Sequence, residues 1–263
     1  MEITAYIAAV RGEGDRLAAA AERAGLDAPV PACPSWRVRD LLLHTGYVHR
    51  WATGYVTEQH LTWVDRFSEA QILASRPAGD EMLTSWFREG RERLASALEQ
   101  AQPGMMCWTF LDAPSPLAFW ARRQAHETAI HRVDAQQAAG IAAPGLDPFA
   151  PGLAADGVDE LLMGFARRNS KRGLRSDPPG WLAIHAAGDG GDWIVRMGPD
   201  TAQVARGVIP AGDAPPGRGC EVTGPPAALY LMLWNRGGTE GVEVRGDGRV
   251  LDTWREQMRV RWS

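Results

Sequence analysis

Apolar side chains recur at three- and four-residue intervals through most of the first half of the chain, the spacing at which one face of a helix is buried. Over residues 3–24, Tyr6, Ile7, Val10, Leu17, Ala18 and Ala21 share one stripe and Gly25 ends it. Three prolines then forbid helix over residues 26–34. Ser35 is placed to cap a second helix reaching to about residue 57, with Leu41, His44, Thr45, Val48, Trp51, Ala52 and Tyr55 on its inward arc. A third helix is expected from Asp80, as its cap, to Gln100, carrying Met82, Trp86, Leu94 and Leu98. Pro103 and Gly104 break the chain before a fourth. That one has Ser115 as cap, Pro116 at its first position and Gly140 just past its end. At ~100° per residue, its Leu117, Trp120, Ala121, Gln124, Glu127, Thr128, His131, Ala135 and Ala138 face inward. Arg122, His126, Val133 and Gln136 point elsewhere.

Past Gly140 the pattern changes. Residues 141–157 read as a linker rich in Ala, Pro and Gly, and a short helix follows through residues 156–168. From Gly180 onward short alternating segments predict strands at 181–188, 192–198, 220–224 and 242–248. A helix opened by prolines and closed by glycines is expected over 225–238, and a final helix or mixed segment over 250–260. The fold class is therefore α+β, with a four-helix bundle over residues 1–145 and a smaller mixed domain over 146–263.

Composition narrows the function. The chain has 263 residues, a formal net charge of −4 and a pI of about 5.9, which argue against a nucleic-acid or anionic-membrane surface. No apolar run approaches the ~20 residues needed to span a bilayer, and Cys33, Cys107 and Cys220 are too scattered and too few for a disulfide framework. A cytoplasmic protein is expected. There is no G-x-G-x-x-G opening a helix after a strand, no G-K-[ST] loop and no G-x-S-x-G elbow.

The chemistry gathers on two helices. Glu127 and His131, four residues apart, stand one turn above each other on a core-facing arc. A carboxylate and an imidazole there are expensive to desolvate without a partner. One solution is a Glu–His hydrogen bond lining a wet crevice; the other is a divalent metal. His126 does not complete a zincin motif, because H-E-x-x-x-H turns its two histidines roughly 140° apart. In a four-helix bundle His44 can converge with Glu127 and His131, giving two imidazoles and one carboxylate with open coordination positions, a set suited to zinc or another first-row divalent ion. Asp134 and Asp40 are candidate acceptors for the imidazole N–H groups. Gln124 and Thr128 lie near this set, and the only fixed positive charge on the inward arcs is Arg37. A metal-bound water would make such a site hydrolytic, and a bundle beside an apolar crevice also suits a non-catalytic small-ligand binder.

The segments CPSWRVRDLLLHTGYVHRWA and RRQAHETAIHRVDAQ, with TGPPAALYLMLWNR and VEVRGDGRVLDTW in the tail, resemble the mycothiol-dependent maleylpyruvate isomerase family. The resemblance implies a DinB-like metal-binding bundle followed by a sterol-carrier-protein-like domain. It places the family's metal ligands on His44, Glu127 and His131, with zinc the expected ion and mycothiol the thiol cosubstrate. It also implies that a metal-activated thiolate attacks a small electrophile, giving isomerisation or S-transfer. Gln124 and Thr128 are the expected contacts for that cosubstrate. Arg236, in LMLWNRGG, is the nearest match to a substrate-binding arginine and the expected catalytic cation. Cys33, flanked by proline and without a cationic neighbour, is expected to be structural.

Overall fold

The structure, a computed structural model, describes residues 1–142, 145–146, 148–167, 173–200, 202–209, 215 and 217–259. The chain divides into two compact units, Met1–Asp147 and Pro148–Ser263. Residues 143, 144 and 147 of the expected linker, and residues 168 and 260 at the ends of two expected helices, lie outside the described residues.

The first unit is built on four long helices: α1 (Ile3–Ala24), α2 (Val38–Glu58), α4 (Leu83–Gln100) and α5 (Pro116–Ala138). α1 packs beside α5 and α4, and α2 beside the same two, so α1 and α2 are diagonal partners. Gly25 ends α1 with φ 82°, a backbone state that a glycine adopts without a Cβ clash. At the start of α5 the Ser115 hydroxyl accepts a hydrogen bond from the Ala118 N–H at 3.1 Å, and Pro116 occupies the first turn. Leu17, Leu41, Leu42, Phe87 and Ala135 form the buried centre of one end. Trp51, Tyr55, Trp108 and Trp120 pack ring against ring at the other, with centroids 4.9 to 6.1 Å apart.

Three expectations about these helices need correction. Ser35 does not cap α2: the loop before it doubles back, with the Val30 N–H bonded to the Trp36 carbonyl, and the helix begins three residues later at Val38. There Asp40 reaches back to accept from the Arg37 N–H at 2.8 Å, closing the end from inside the first turn. Asp80 opens a 3-10 turn, Asp80–Met82, rather than capping α4 directly, and the preceding connection holds another such turn, Asp65–Phe67, and the short α3 (Glu69–Leu73). Third, α5 has no outward face over most of its length: His126, Val133 and Gln136, expected to point elsewhere, are all buried. Buried Arg132 and His126 find partners on α1. Arg132 donates to Glu13 of α1 at 2.6 Å and to Gln136 at 2.8 Å, and the His126 ring meets Tyr6 at 6.3 Å.

The second unit opens with α6 (Leu153–Asp159), which widens into a π-helical turn over Glu160–Ala166. Five strands follow, β1 (Gly180–Ala186), β2 (Gly191–Met197), β3 (Gln203–Arg206), β4 (Arg218–Gly224) and β5 (Glu243–Gly246), with α7 (Pro226–Leu233) before β5 and α8 (Gly248–Gln257) after it. The sheet order is β3-β2-β1-β4-β5. β1 and β4 run parallel, pairing Ala183 with Glu221, and all other neighbours are antiparallel. Leu182, Ile184, Val195, Cys220 and Val222 are buried on the sheet, and Leu229 to Leu233 of α7 are buried beside it. This is the expected α+β arrangement. The strand not anticipated is β3, in which only Val204 is buried.

Candidate metal centre

Helices α2 and α5 bring His44, Glu127 and His131 together. Glu127 Oε1 lies 3.1 Å from His44 Nε2 and 3.2 Å from His131 Nε2, and the ligand-capable atoms of all three lie within 4.8 Å of one another. All three side chains are buried. Among the described residues this is the one group of three or more His, Cys, Asp or Glu side chains with such convergence. Trp36, half-buried in the loop ahead of α2, lays its ring against both imidazoles, 4.8 Å from His44 and 5.9 Å from His131.

The surroundings fix each group. His131 Nδ1 is 2.8 Å from the buried Asp134, which leaves Nε2 turned toward Glu127 and sets the tautomer, as a carboxylate behind a liganding imidazole does. Asp40, the other proposed acceptor, serves the start of α2 instead. Burial alone would raise the Glu127 carboxyl, but hydrogen bonds from His131 and His44 and the charge of Arg123 hold it well below the usual carboxylate range. Burial alone would likewise lower His131, but Asp134 and Glu127 raise it to about 9. A proton on His131 Nε2 and an ion compete for one lone pair. Two buried imidazole nitrogens and one buried carboxylate oxygen, converging with a second carboxylate orienting one ring, fit a first-row divalent cation.

Arg123 is the residue the sequence reading missed. It is 1% exposed, one turn before Glu127 on α5, and its Nη2 donates to Glu127 Oε2 at 3.0 Å. The site therefore carries a fixed positive charge from within the bundle, whereas Arg37, the one fixed charge found on the inward arcs from the sequence, is exposed and donates to the Asp27 carbonyl at 2.5 Å. The signal was present in the i, i+4 spacing of Arg123 and Glu127.

His126, turned away from His131 by its angle on the helix, and His49 on α2 both lie outside the His44, Glu127, His131 group, although both are buried. Thr128 donates its hydroxyl hydrogen to the Gln124 carbonyl at 2.7 Å and lies 2.9 Å from His49 Nε2. The hydroxyl has one hydrogen, so it accepts from His49 Nε2–H, and His49 Nδ1 is left as a buried acceptor with no partner. Burial pushes His49 down to about 3. The Gln124 amide is fully buried and neither its oxygen nor its nitrogen has a hydrogen-bond partner. Cys33 is half-buried and takes part in no disulfide among the described residues. In the second unit Arg236 follows the last turn of α7; its N–H bonds to the Leu231 carbonyl at 2.7 Å and its Nη1 to the Trp234 carbonyl at 2.9 Å.

A bundle carrying a buried His, Glu, His set, joined in one chain to a mixed five-stranded sheet unit, defines a recognised class. Residues 7–136 match the family model described as mycothiol maleylpyruvate isomerase N-terminal domain, and residues 152–253 match the MDMPI C-terminal domain. The chain belongs to the mycothiol-dependent maleylpyruvate isomerase family. A crystal structure of the mycothiol-dependent maleylpyruvate isomerase superposes with a TM-score of 0.63 at 12% identity, over 93% of each chain. A histidine-to-alanine mutant of that isomerase gives 0.62 at 12% identity and the same coverage. At this identity the likeness is one of fold. No curated protein sequence matches the chain.

Proposed function

We propose that the chain is a metal-dependent enzyme that uses a low-molecular-weight thiol, mycothiol in keeping with its family, to attack a small electrophile. The observation that carries this reading is the convergence of the buried His44 Nε2, His131 Nε2 and Glu127 Oε1. These three residues hold the ion, with zinc the best match to the donor set. A divalent cation bound there supplies Lewis acidity that deprotonates a thiol and makes it nucleophilic at neutral pH. Asp134 keeps the Nδ1 proton of His131 in place, so that Nε2 stays available. Gln124 offers its unpartnered amide to polar groups of the thiol cosubstrate, with Thr128 beside it. Trp36 forms an apolar wall against both imidazoles. Arg236 is assigned the carboxylate of an anionic substrate, a pairing its planar guanidinium suits.

The thiolate adds to an activated carbon. It is either expelled again after rotation about the former double bond, re-forming C=C as an isomer of a maleylpyruvate-like substrate, or stays bonded while the adjacent carbon takes up a proton or loses a leaving group, giving S-transfer. The test is elemental analysis of the purified chain, followed by turnover of maleylpyruvate with and without mycothiol. About one divalent ion per chain and thiol-dependent isomerisation are expected. A thiol adduct as the product selects S-transfer, turnover without thiol selects hydrolysis, and a metal-free chain overturns the reading.

A further inference from the structure

The two oxygens of Glu127 face different partners. Oε1 is turned to the two imidazole nitrogens, whereas Oε2 receives the guanidinium of Arg123 at 3.0 Å. Arg123 and Glu127 are one turn apart on α5, 1% and 3% exposed, so the ion pair is held away from competing water. Arginine remains charged in any protein environment. A cation beside a cation-binding carboxylate lowers that carboxylate's affinity for metal and serves no purpose for ion retention.

We infer that Arg123 is a positioning residue that reserves Oε2 of Glu127, so that the carboxylate offers an ion one oxygen only, and that its charge favours an anionic sulfur ligand in the remaining coordination positions. The inference rests on the metal reading above. Two steps support it. A carboxylate whose second oxygen is engaged in a charge-assisted hydrogen bond does not rotate to chelate with both, which keeps a position open for a further ligand. The Arg123 guanidinium stands one carboxylate away from the coordination positions, held at 3.0 Å from Glu127 Oε2, and a fixed positive charge at that range lowers the energy of an anionic sulfur ligand relative to a neutral one.

The test uses the full-length chain loaded with cobalt(II), whose visible absorption reports coordination number, and 2-mercaptoethanol as the thiol probe, followed by its sulfur-to-cobalt charge-transfer band. In Arg123→Gln the expected results are cobalt affinity equal to or above that of the unaltered chain, weaker visible absorption as Glu127 chelates with both oxygens, and thiol binding weakened about tenfold or more. Arg123→Lys, which keeps the charge, should retain thiol binding within about threefold. Unchanged thiol binding and absorption in a folded Arg123→Gln chain overturn the inference, as does loss of its cobalt, which would make Arg123 a support for ion retention. Where circular dichroism finds Arg123→Gln unfolded, Arg123→Lys decides: retained thiol binding supports the inference and a tenfold loss overturns it. Failure of the unaltered chain to bind cobalt overturns the metal reading itself and is thereby distinguished.

Discussion

Glu127 sits between two imidazoles and a guanidinium, so replacing it changes more than one interaction. In the metal reading, Glu127→Ala, His44→Ala and His131→Ala each remove one of three donors, and the purified variants should carry substantially less than one ion per chain by elemental analysis. His49→Ala and His126→Ala should keep the ion, because their rings bond to Thr128 and pack on Tyr6 respectively; full occupancy in the first three variants would refute the assignment. Asp134→Ala leaves the donors in place but frees the His131 ring, for which a loss of about 10- to 100-fold in metal affinity is expected by competition with a chelator. His49 gives a pH prediction. Its folded value of about 3 lies below its ordinary 6.5, so the unfolded chain takes up a proton that the folded chain refuses as pH falls between those limits. Stability is therefore lost on acidification from 6.5 toward 3 by up to roughly tenfold in the folding equilibrium per pH unit. His49→Gln should flatten that part of a plot of urea midpoint against pH.

α5 concentrates both the site and the internal polar contacts of the bundle, and its stability depends on ion pairs that the arc argument does not detect. Arg132, fully buried, reaches Glu13 of α1 at 2.6 Å. Glu13→Ala removes the carboxylate facing that guanidinium and should destabilise the chain by about 3–5 kcal/mol in urea unfolding, the scale for breaking a buried pair from one side; a change below about 1 kcal/mol would show that water or rearrangement replaces the contact. The same helix explains what was legible in the sequence. Its limits were readable because Ser115, Pro116 and Gly140 are local signals, and Glu127 with His131 because four-residue spacing is a fixed property of the helix. His126, Val133 and Gln136 were misread, and Arg123 was passed over, because an arc separates inside from outside only when a helix has an outside, and α5 is covered by α1 on one side and by α2 on another. Ser35 failed as a cap for a tertiary reason: the Pro29–Arg37 bridge draws Trp36 back along the loop, beyond what local cap chemistry specifies. β3 escaped because a four-residue edge strand with one buried side chain has too little alternation to stand out.

At the scale of the whole molecule, all three proposed ligands and both of their charged neighbours, Arg123 and Asp134, belong to the first unit, while the second supplies α6, the sheet, α7 and α8. Both units match domains of one family, so the second has to be given a task or shown to be passive in the chemistry. Arg236 tests this. In a thiol addition the electrophile must be held in line with the sulfur, and orientation supplies much of the rate enhancement. Arg123 is committed to Glu127 Oε2, which leaves a substrate carboxylate in need of another cation. Arg236 follows α7 and is succeeded by Gly237 and Gly238, and its Nη1 donates to the carbonyl of Trp234. Arg236→Ala is therefore expected to leave metal content, the urea midpoint and turnover of an uncharged electrophile as they are. It should lower kcat/KM for a carboxylate-bearing electrophile by ~2–4 kcal/mol, about 30- to 1000-fold, the range for removing a charged donor from its partner. Arg236→Lys, a point charge without the planar fork, should recover part of that loss. Equal kcat/KM for the charged and uncharged electrophiles in Arg236→Ala, relative to the unaltered chain, would remove Arg236 from the reaction and assign the carboxylate to a residue of the bundle.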